Sequence, residues 1–196
     1  MNNLVFNEQL HQYKLDGIVI PGVTEILTTA GLINFDFVSP DVLEYSADLG
    51  KKVHSTTELY DRQDLDVTTL HPTLISYLES WIKFKKAYNF IPYGIETQYF
   101  HPVYKFAGRL DRVGYIDAGG YMALVDIKSG VKAKHHEIQT AGYKILYDYG
   151  KKRAEQIKRR FCVYLSEDDY KVEEHKNNND MNVFLSCLSI TNYKRS

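Results

Sequence analysis

The 196 residues match the size of one domain, and side chains that are 44% hydrophobic, 13% aromatic and 25% charged exclude collagen-like, disordered and low-complexity chains. The formal net charge of −1 excludes a uniformly basic protein, yet residues 1–71 carry −7 and residues 128–160 carry +7. No apolar run reaches the ~18–20 residues of a bilayer span, and the opening MNNLVFNEQL has no basic stretch followed by an apolar core, so a cytoplasmic location without membrane contact is expected. Cys162 and Cys187 are the only cysteines, too few for a disulfide framework, a four-cysteine zinc site or a four-thiolate iron–sulfur cluster. A metal would be held by oxygen and imidazole.

Along the chain, Leu4–Phe6 and Gln12–Leu15 read as paired short strands, and Asp16-Gly17 turns into Ile18–Ile20. Pro21-Gly22 ends that sheet, Thr24 caps a short helix through Ala30, and Gly31 stops it. Ser39-Pro40 starts a longer helix to about Tyr60, and a second runs over Pro72–Ala87 with Leu74, Ile75, Leu78, Trp81, Ile82 and Phe84 mostly on one stripe. From Ile91 the period changes to that of strands, predicted over 95–100, 104–116 and 121–128, with residues 117–120 as the turn between the last two. A helix over 134–149 ends at Gly150, strands at 159–165 and 170–173 form a late hairpin, and a short helix occupies about 181–190. The order implies one α+β domain, a mixed central sheet flanked by helices. Its parts are an N-terminal hairpin and short helix (1–35), a helical part (36–90), a core (91–165) and a C-terminal hairpin and helix (166–196).

The chemistry concentrates around the 117–120 turn. If it closes a symmetric hairpin, Asp111 lies opposite Asp126 with Cβ atoms about 4.5–5.5 Å apart, a destabilising arrangement for two like charges unless something positive sits between them. Lys128 follows Asp126 by two residues, on the same face and roughly 6.6 Å along the strand, and Gly108 leaves backbone room for a ligand. Two carboxylates and an ammonium suit phosphodiester hydrolysis: hard divalent cations bind oxygen, bridge phosphate and acidify water. Lys128 would orient or deprotonate that water, or stabilise the charged phosphate. The plain alternative is an exposed hairpin with an ordinary Lys–Asp pair.

GRLDR at 108–112, DIK at 126–128 and QTAGY at 139–143 resemble, in order and spacing, the RecB-like branch of the PD-(D/E)XK nucleases. Phage exonucleases, CRISPR adaptation nucleases and the mitochondrial genome-maintenance exonuclease are similar, and FNEQLHQYKLDG…PGVTEIL is similar to the start of phage-encoded members. The resemblance implies a restriction-endonuclease-like core. It implies that His54, Asp111 and Asp126 hold one or two Mg²⁺ or Mn²⁺ ions, that the carbonyl of Ile127 completes the shell and that Lys128 is catalytic. Glu96 stands where the branch carries a further acidic residue, and Gln139 and Tyr143 would organise the site and touch DNA. The iron–sulfur cysteines of some relatives are missing, and a stand-alone nuclease without a helicase motor is expected.

Supporting roles follow from spacing. Gly50 leaves a slot beside His54, and Glu58, four residues further on, would fix the imidazole tautomer. His135 and His136 read as helix-start or phosphate-facing residues. Gly108 and Arg109, together with Lys132, Lys134, Lys151, Lys152 and Arg153, would follow a DNA backbone without reading sequence, while Tyr104, Tyr143 and Tyr147 would stack on bases. The expectation is a metal-dependent exonuclease acting on linear DNA as a monomer or small homo-oligomer, in a bacterial or phage-infected cell. Resemblance alone suggests a single-strand annealing partner. The rival readings are a structure-selective or site-specific endonuclease and a non-catalytic DNA-end binding module.

Overall fold

A computed structural model describes residues 3–117 and 120–196; the centre of the expected 117–120 turn, Ala118 and Gly119, lies outside the described residues. Three short antiparallel strands come first: β1 (Leu4–Asn7), β2 (Gln12–Leu15) and β3 (Ile18–Ile20). Asp16 and Gly17 both take positive φ, +50° and +83°, as a tight turn between twisted strands requires. Helix α1 (Val23–Thr29) follows, then α2 (Pro40–Asp61), a 3₁₀ turn (Val67–Thr69) that no sequence pattern had predicted, and α3 (Pro72–Ala87).

The N-cap of α1 is Gly22, not Thr24. Glu25 reaches back to accept the Gly22 N–H at 3.2 Å, which satisfies an orphan donor of the first turn. The Thr24 hydroxyl is thereby left for another partner, described below.

The main sheet is mixed, in the order β4 (Ile91–His101), β5 (Phe106–Ile116), β6 (Tyr121–Lys128), β7 (Arg159–Leu165), β8 (Tyr170–Glu174). Strands β6 and β7 run parallel while their neighbours pair antiparallel, and α4 (His135–Asp148) lies in the crossover that parallel pairing demands. Helix α5 (Asn179–Arg195) ends the chain and is longer than the expected 181–190. Strand β4 starts at Ile91, not Ile95, because a bulge between Pro92 and Gly94 absorbs two strand-breaking residues.

The sheet separates two apolar clusters. Helices α1, α4 and α5 cover one face with Val23, Ile26, Leu146, Phe184 and Leu188 over Leu110 and Leu124. Helices α2 and α3 cover the other with Val53, Leu78, Trp81 and Phe84 over Val125, Ile127 and Phe161. The N-terminal sheet packs Tyr13, Leu15 and Ile20 against Ala107, and a bridge between Gly22 and Ala107 fastens it to β5.

Candidate active site

Three elements bring three metal-type donors together. His54 comes from α2, Glu96 from β4 and Asp111 from β5, and one ligand atom of each lies within 4.8 Å of the others. His54 Nδ1 is 3.6 Å from Glu96 Oε1 and 3.7 Å from Asp111 Oδ2. These separations fall between the ~3.0 Å of adjacent and the ~4.2 Å of opposite donors around a six-coordinate ion with ~2.1 Å bonds. Two carboxylates and an imidazole therefore fit a hard divalent cation in both chemistry and spacing.

Glu96 reaches this position through its backbone. Its φ is +47°, unusual for a non-glycine residue inside a strand, and such strain persists only where surroundings hold it. The hold comes from Arg112, whose side chain has no solvent exposure. Its guanidinium donates to Glu96 Oε1 at 2.9 Å, to Asp61 Oδ2 and the Asp111 carbonyl at 2.7 Å, and to Thr57 Oγ1 at 3.1 Å. Asp61, equally buried, also accepts from Trp81 Nε1 and Lys85. Glu58 does not touch His54 but pairs with Arg62 at 2.9 Å, so Glu96 and Asp111, not Glu58, face the imidazole.

The β5–β6 register agrees with a symmetric hairpin from Ile116↔Tyr121 to Arg112↔Val125, and stops one pair before Asp111 and Asp126. There the Asp111 carboxylate accepts the Ile127 N–H at 2.7 Å, and the aspartates part company. Asp111 leans toward α2 and His54. Asp126 lies on the α4 side, with Lys128 Nζ at 2.8 Å and Cys162 Sγ at 3.4 Å. Lys128 also donates to Gln139 Oε1 at 3.0 Å, and the Gln139 amide donates to Tyr143 Oη at 3.2 Å and to Thr24 Oγ1 at 3.3 Å. That last bond is the use to which the Thr24 hydroxyl, inside α1 and not at its cap, is put. Both carboxylates still line a single cavity of about 360 Å³, together with His54, Lys128, Gln139 and Tyr143.

Burial dominates the electrostatics. It opposes protonation of His54, but Asp111 and Glu96 outweigh it and raise the imidazole to about 9. The Asp111 carboxyl is raised by burial, with Glu96 adding to the effect and His54 and Lys128 opposing. At Lys128 burial works against the ammonium, yet Asp126 and Asp111 hold it above the ordinary lysine range. Burial beside Asp126 pushes the Cys162 thiol up, which makes it an inert packing residue.

Other side chains take places the sequence does not predict. Gly108 and Arg109 border the cavity, but the room beside Gly108 is taken by the protein itself and not left for a ligand, since a Cβ there would come within 3.0 Å of Tyr143 and Leu146. Ile127 is fully buried. Tyr147, 2% exposed, belongs to the core and cannot stack on a base, and Tyr143 is 7% exposed. Tyr104 is exposed and lies against His101. His136 is buried and bonded to Tyr164, so it faces no phosphate. The basic stretch is partly neutralised within the fold: Lys132 pairs with Glu173, Lys144 with Asp148, Arg159 with Glu174 and Arg160 with Asp180. Lys134, Lys151, Lys152, Arg153 and Lys158 have no carboxylate partner among the described residues, and none of them borders the cavity. Phe6, His11 and Tyr13 do border it; they belong to the FNEQLHQYKLDG segment, whose resemblance implied no site role for them.

The central hairpin of a mixed sheet thus delivers Asp111, Asp126 and Lys128 to one cavity. A family model for the PD-(D/E)XK nuclease superfamily matches residues 38–185, and the chain belongs to that superfamily. Among solved structures it is similar to the crystal structure of SSO0001, at 16% identity over 89% of this chain and 76% of that chain, with a TM-score of 0.45. It is also similar to LHK-Exo in complex with dAMP, at 12% identity over 90% of this chain and 92% of that one, with a TM-score of 0.33. No curated protein matches the chain.

Proposed function

We propose that the protein is a divalent-metal-dependent deoxyribonuclease that degrades DNA from its ends. The observation that carries the reading is the convergence of His54, Glu96 and Asp111 with Asp126 and Lys128 at the end of the β5–β6 hairpin. His54, Glu96 and Asp111 would hold Mg²⁺ or Mn²⁺, with Asp126 and the Ile127 carbonyl available to the same or a second ion. A cation bound there supplies Lewis-acid polarisation of the phosphate and a more acidic water.

The protein's own groups divide the remaining work. Lys128 places positive charge where the scissile phosphate gains negative charge, and Asp126 and Gln139 fix the direction of its ammonium. Gln139 is itself fixed by Tyr143 and Thr24, so α4 and α1 brace the lysine. Arg112 holds Glu96 in its strained position. The unpaired Lys134, Lys151, Lys152 and Arg153 supply sequence-independent attraction to the backbone.

The preference for ends rests on the likeness of GRLDR, DIK and QTAGY to the RecB-like exonucleases, and a phage or bacterial cytoplasmic setting on the likeness of the opening segment. Linear DNA labelled at the 5′ or the 3′ end, with a covalently closed circle alongside, tests the reading in Mg²⁺ and then in EDTA. Cleavage of the linear DNA alone, abolished by EDTA, is expected. Cleavage of the circle makes the protein an endonuclease, and binding without cleavage makes it an end-binding module.

A further inference from the structure

The cavity has a second wall built from residues outside the metal-type cluster. Phe6 and Tyr13, a cross-strand pair of β1 and β2, border it, as does His11 from the turn that joins them. The Phe6 ring is 4.6 Å from Tyr13 and 5.2 Å from His11, which it meets edge-on. This sheet is tied beside the site, since Ala107 N–H donates to the Pro21 carbonyl at 3.0 Å two residues before Arg109.

Arg109 completes the wall. It stands two residues before Asp111, and its guanidinium lies 5.1 Å from the Phe6 ring centroid. Arg112, Arg159 and Arg160 each have a carboxylate partner, whereas Arg109 has none among the described residues. A half-buried guanidinium laid on an aromatic ring, with its fork of donors unused among the described residues, is suited to a phosphate. An aromatic shelf beside it suits a nucleobase of any sequence, because every base offers a π-face. Packing of the hairpin accounts for Tyr13, which is buried with Leu15 and Ile20. It does not account for exposed His11 or for the unpaired arginine.

We propose that this wall is a subsite for one nucleotide of the bound strand next to the scissile phosphate, with its base against Phe6 and His11 and its own phosphate on Arg109. The assignment rests on the nuclease reading and adds where the strand lies. The N-terminal sheet then serves as part of the substrate surface as well as a cover for Ala107 and Phe100.

The test combines cleavage of a single-stranded oligodeoxynucleotide with a binding readout, namely titration of thymidine 5′-monophosphate in Ca²⁺ followed by the NMR resonances of the His11 imidazole. Phe6→Leu, His11→Ala and Arg109→Gln are compared with the wild type. His11 is exposed and Arg109 makes no ion pair among the described residues, so these two variants probe the wall even if Phe6→Leu fails to fold. The expected result is that the mononucleotide shifts the His11 resonances, that Arg109→Gln weakens its binding about tenfold, and that the variants raise KM about tenfold while kcat changes less. If the wild type cleaves DNA and the variants keep its KM and mononucleotide affinity, the subsite is overturned and the nuclease reading stands. If the wild type binds the mononucleotide through Arg109 but cleaves no DNA with any metal, the wall is a nucleotide site, while the nuclease reading falls and with it the placement beside a scissile phosphate.

Discussion

Gln139 Oε1 accepts a hydrogen bond from Lys128 Nζ at 3.0 Å, joining helix α4 to the ammonium at the end of β6. With Asp126 at 2.8 Å on its other side, the ammonium has a fixed direction and not merely a charge. Lys128→Met should therefore lower the single-turnover cleavage rate by about 10²–10³-fold while DNA affinity changes little. Gln139→Leu should cost roughly tenfold, because it releases the ammonium without removing it. Rapid-quench kinetics at saturating protein measure both, and a wild-type rate in Lys128→Met would remove that residue from the chemistry.

Arg112 makes a different kind of demand. Its partners Asp61 and Glu96 are buried or nearly so, and removing one member of a buried ionic network leaves charges without compensation. Arg112→Met should destabilise the fold by about 3–5 kcal/mol, and the double variant Arg112→Met/Asp61→Leu should recover part of that loss. Urea unfolding of the two variants provides the comparison. Equal stability of Arg112→Met and wild type would contradict the network as described.

His54→Ala should weaken Mn²⁺ binding measured by calorimetry more than it lowers stability, since α2 is anchored through Val53, Thr56 and Thr57 rather than through His54. Glu96→Gln should do the same. Unchanged metal affinity in both would detach the cluster from any metal role.

Stability should also depend on pH through His136, which is not one of the three clustered metal-type donors. Burial, then the Lys128 charge, lowers the His136 imidazole to about 3, while its Nδ1 accepts the Ala133 N–H at 3.3 Å and lies 2.9 Å from the Tyr164 hydroxyl. Burial lowers His175 as well. As pH falls, the unfolded chain takes up these protons first, near the ordinary histidine value of about 6.5. The stabilisation is thus complete above about pH 6.5 and declines toward about pH 3. Urea midpoints at neutral pH and about one pH unit below the ordinary histidine value should differ, and His136→Gln should shrink the difference.

The long-range basic surface has its own signature. Neutralising Lys151, Lys152 and Arg153 together should weaken DNA binding uniformly across sequences and flatten the slope of log affinity against log salt by roughly 0.7–0.9 for each DNA phosphate no longer neutralised. Fluorescence anisotropy over a salt series reads this directly, and an unchanged slope would place these residues away from DNA. Lys151 lies 4.4 Å from the Tyr147 ring, which keeps at least this charge close to α4.

What the sequence made legible was whatever local pattern determines. Helix α3 and strands β6 and β7 begin and end where periodicity and breakers place them, and His54, Asp111, Asp126 and Lys128 are carried by short motifs at readable spacing. Long-range pairing hid the rest. Nothing local reveals that Asp111 would capture the Ile127 amide, ending the regular register before the expected Asp111–Asp126 pair. Helix α5 exceeded its expected span because its buried Phe184, Cys187, Leu188 and Thr191 follow helical spacing beneath polar flanks. Gly142 of QTAGY owes its place to that helix: a Cβ there would meet the Phe184 ring at 2.5 Å. Phe6 and His11 were invisible as site residues because it is the Gly22–Ala107 bridge that brings their hairpin to the cavity.

The most direct test of the central claim is single-turnover cleavage of end-labelled linear DNA in Mn²⁺ by the wild type, Asp111→Asn and Asp126→Asn, each shown beforehand to bind the DNA. The convergence of these carboxylates with Lys128 predicts rapid cleavage by the wild type, arrest by excess EDTA, and loss of at least about a hundredfold in each variant. Wild-type cleavage in EDTA, or an undiminished rate in either variant, would contradict it.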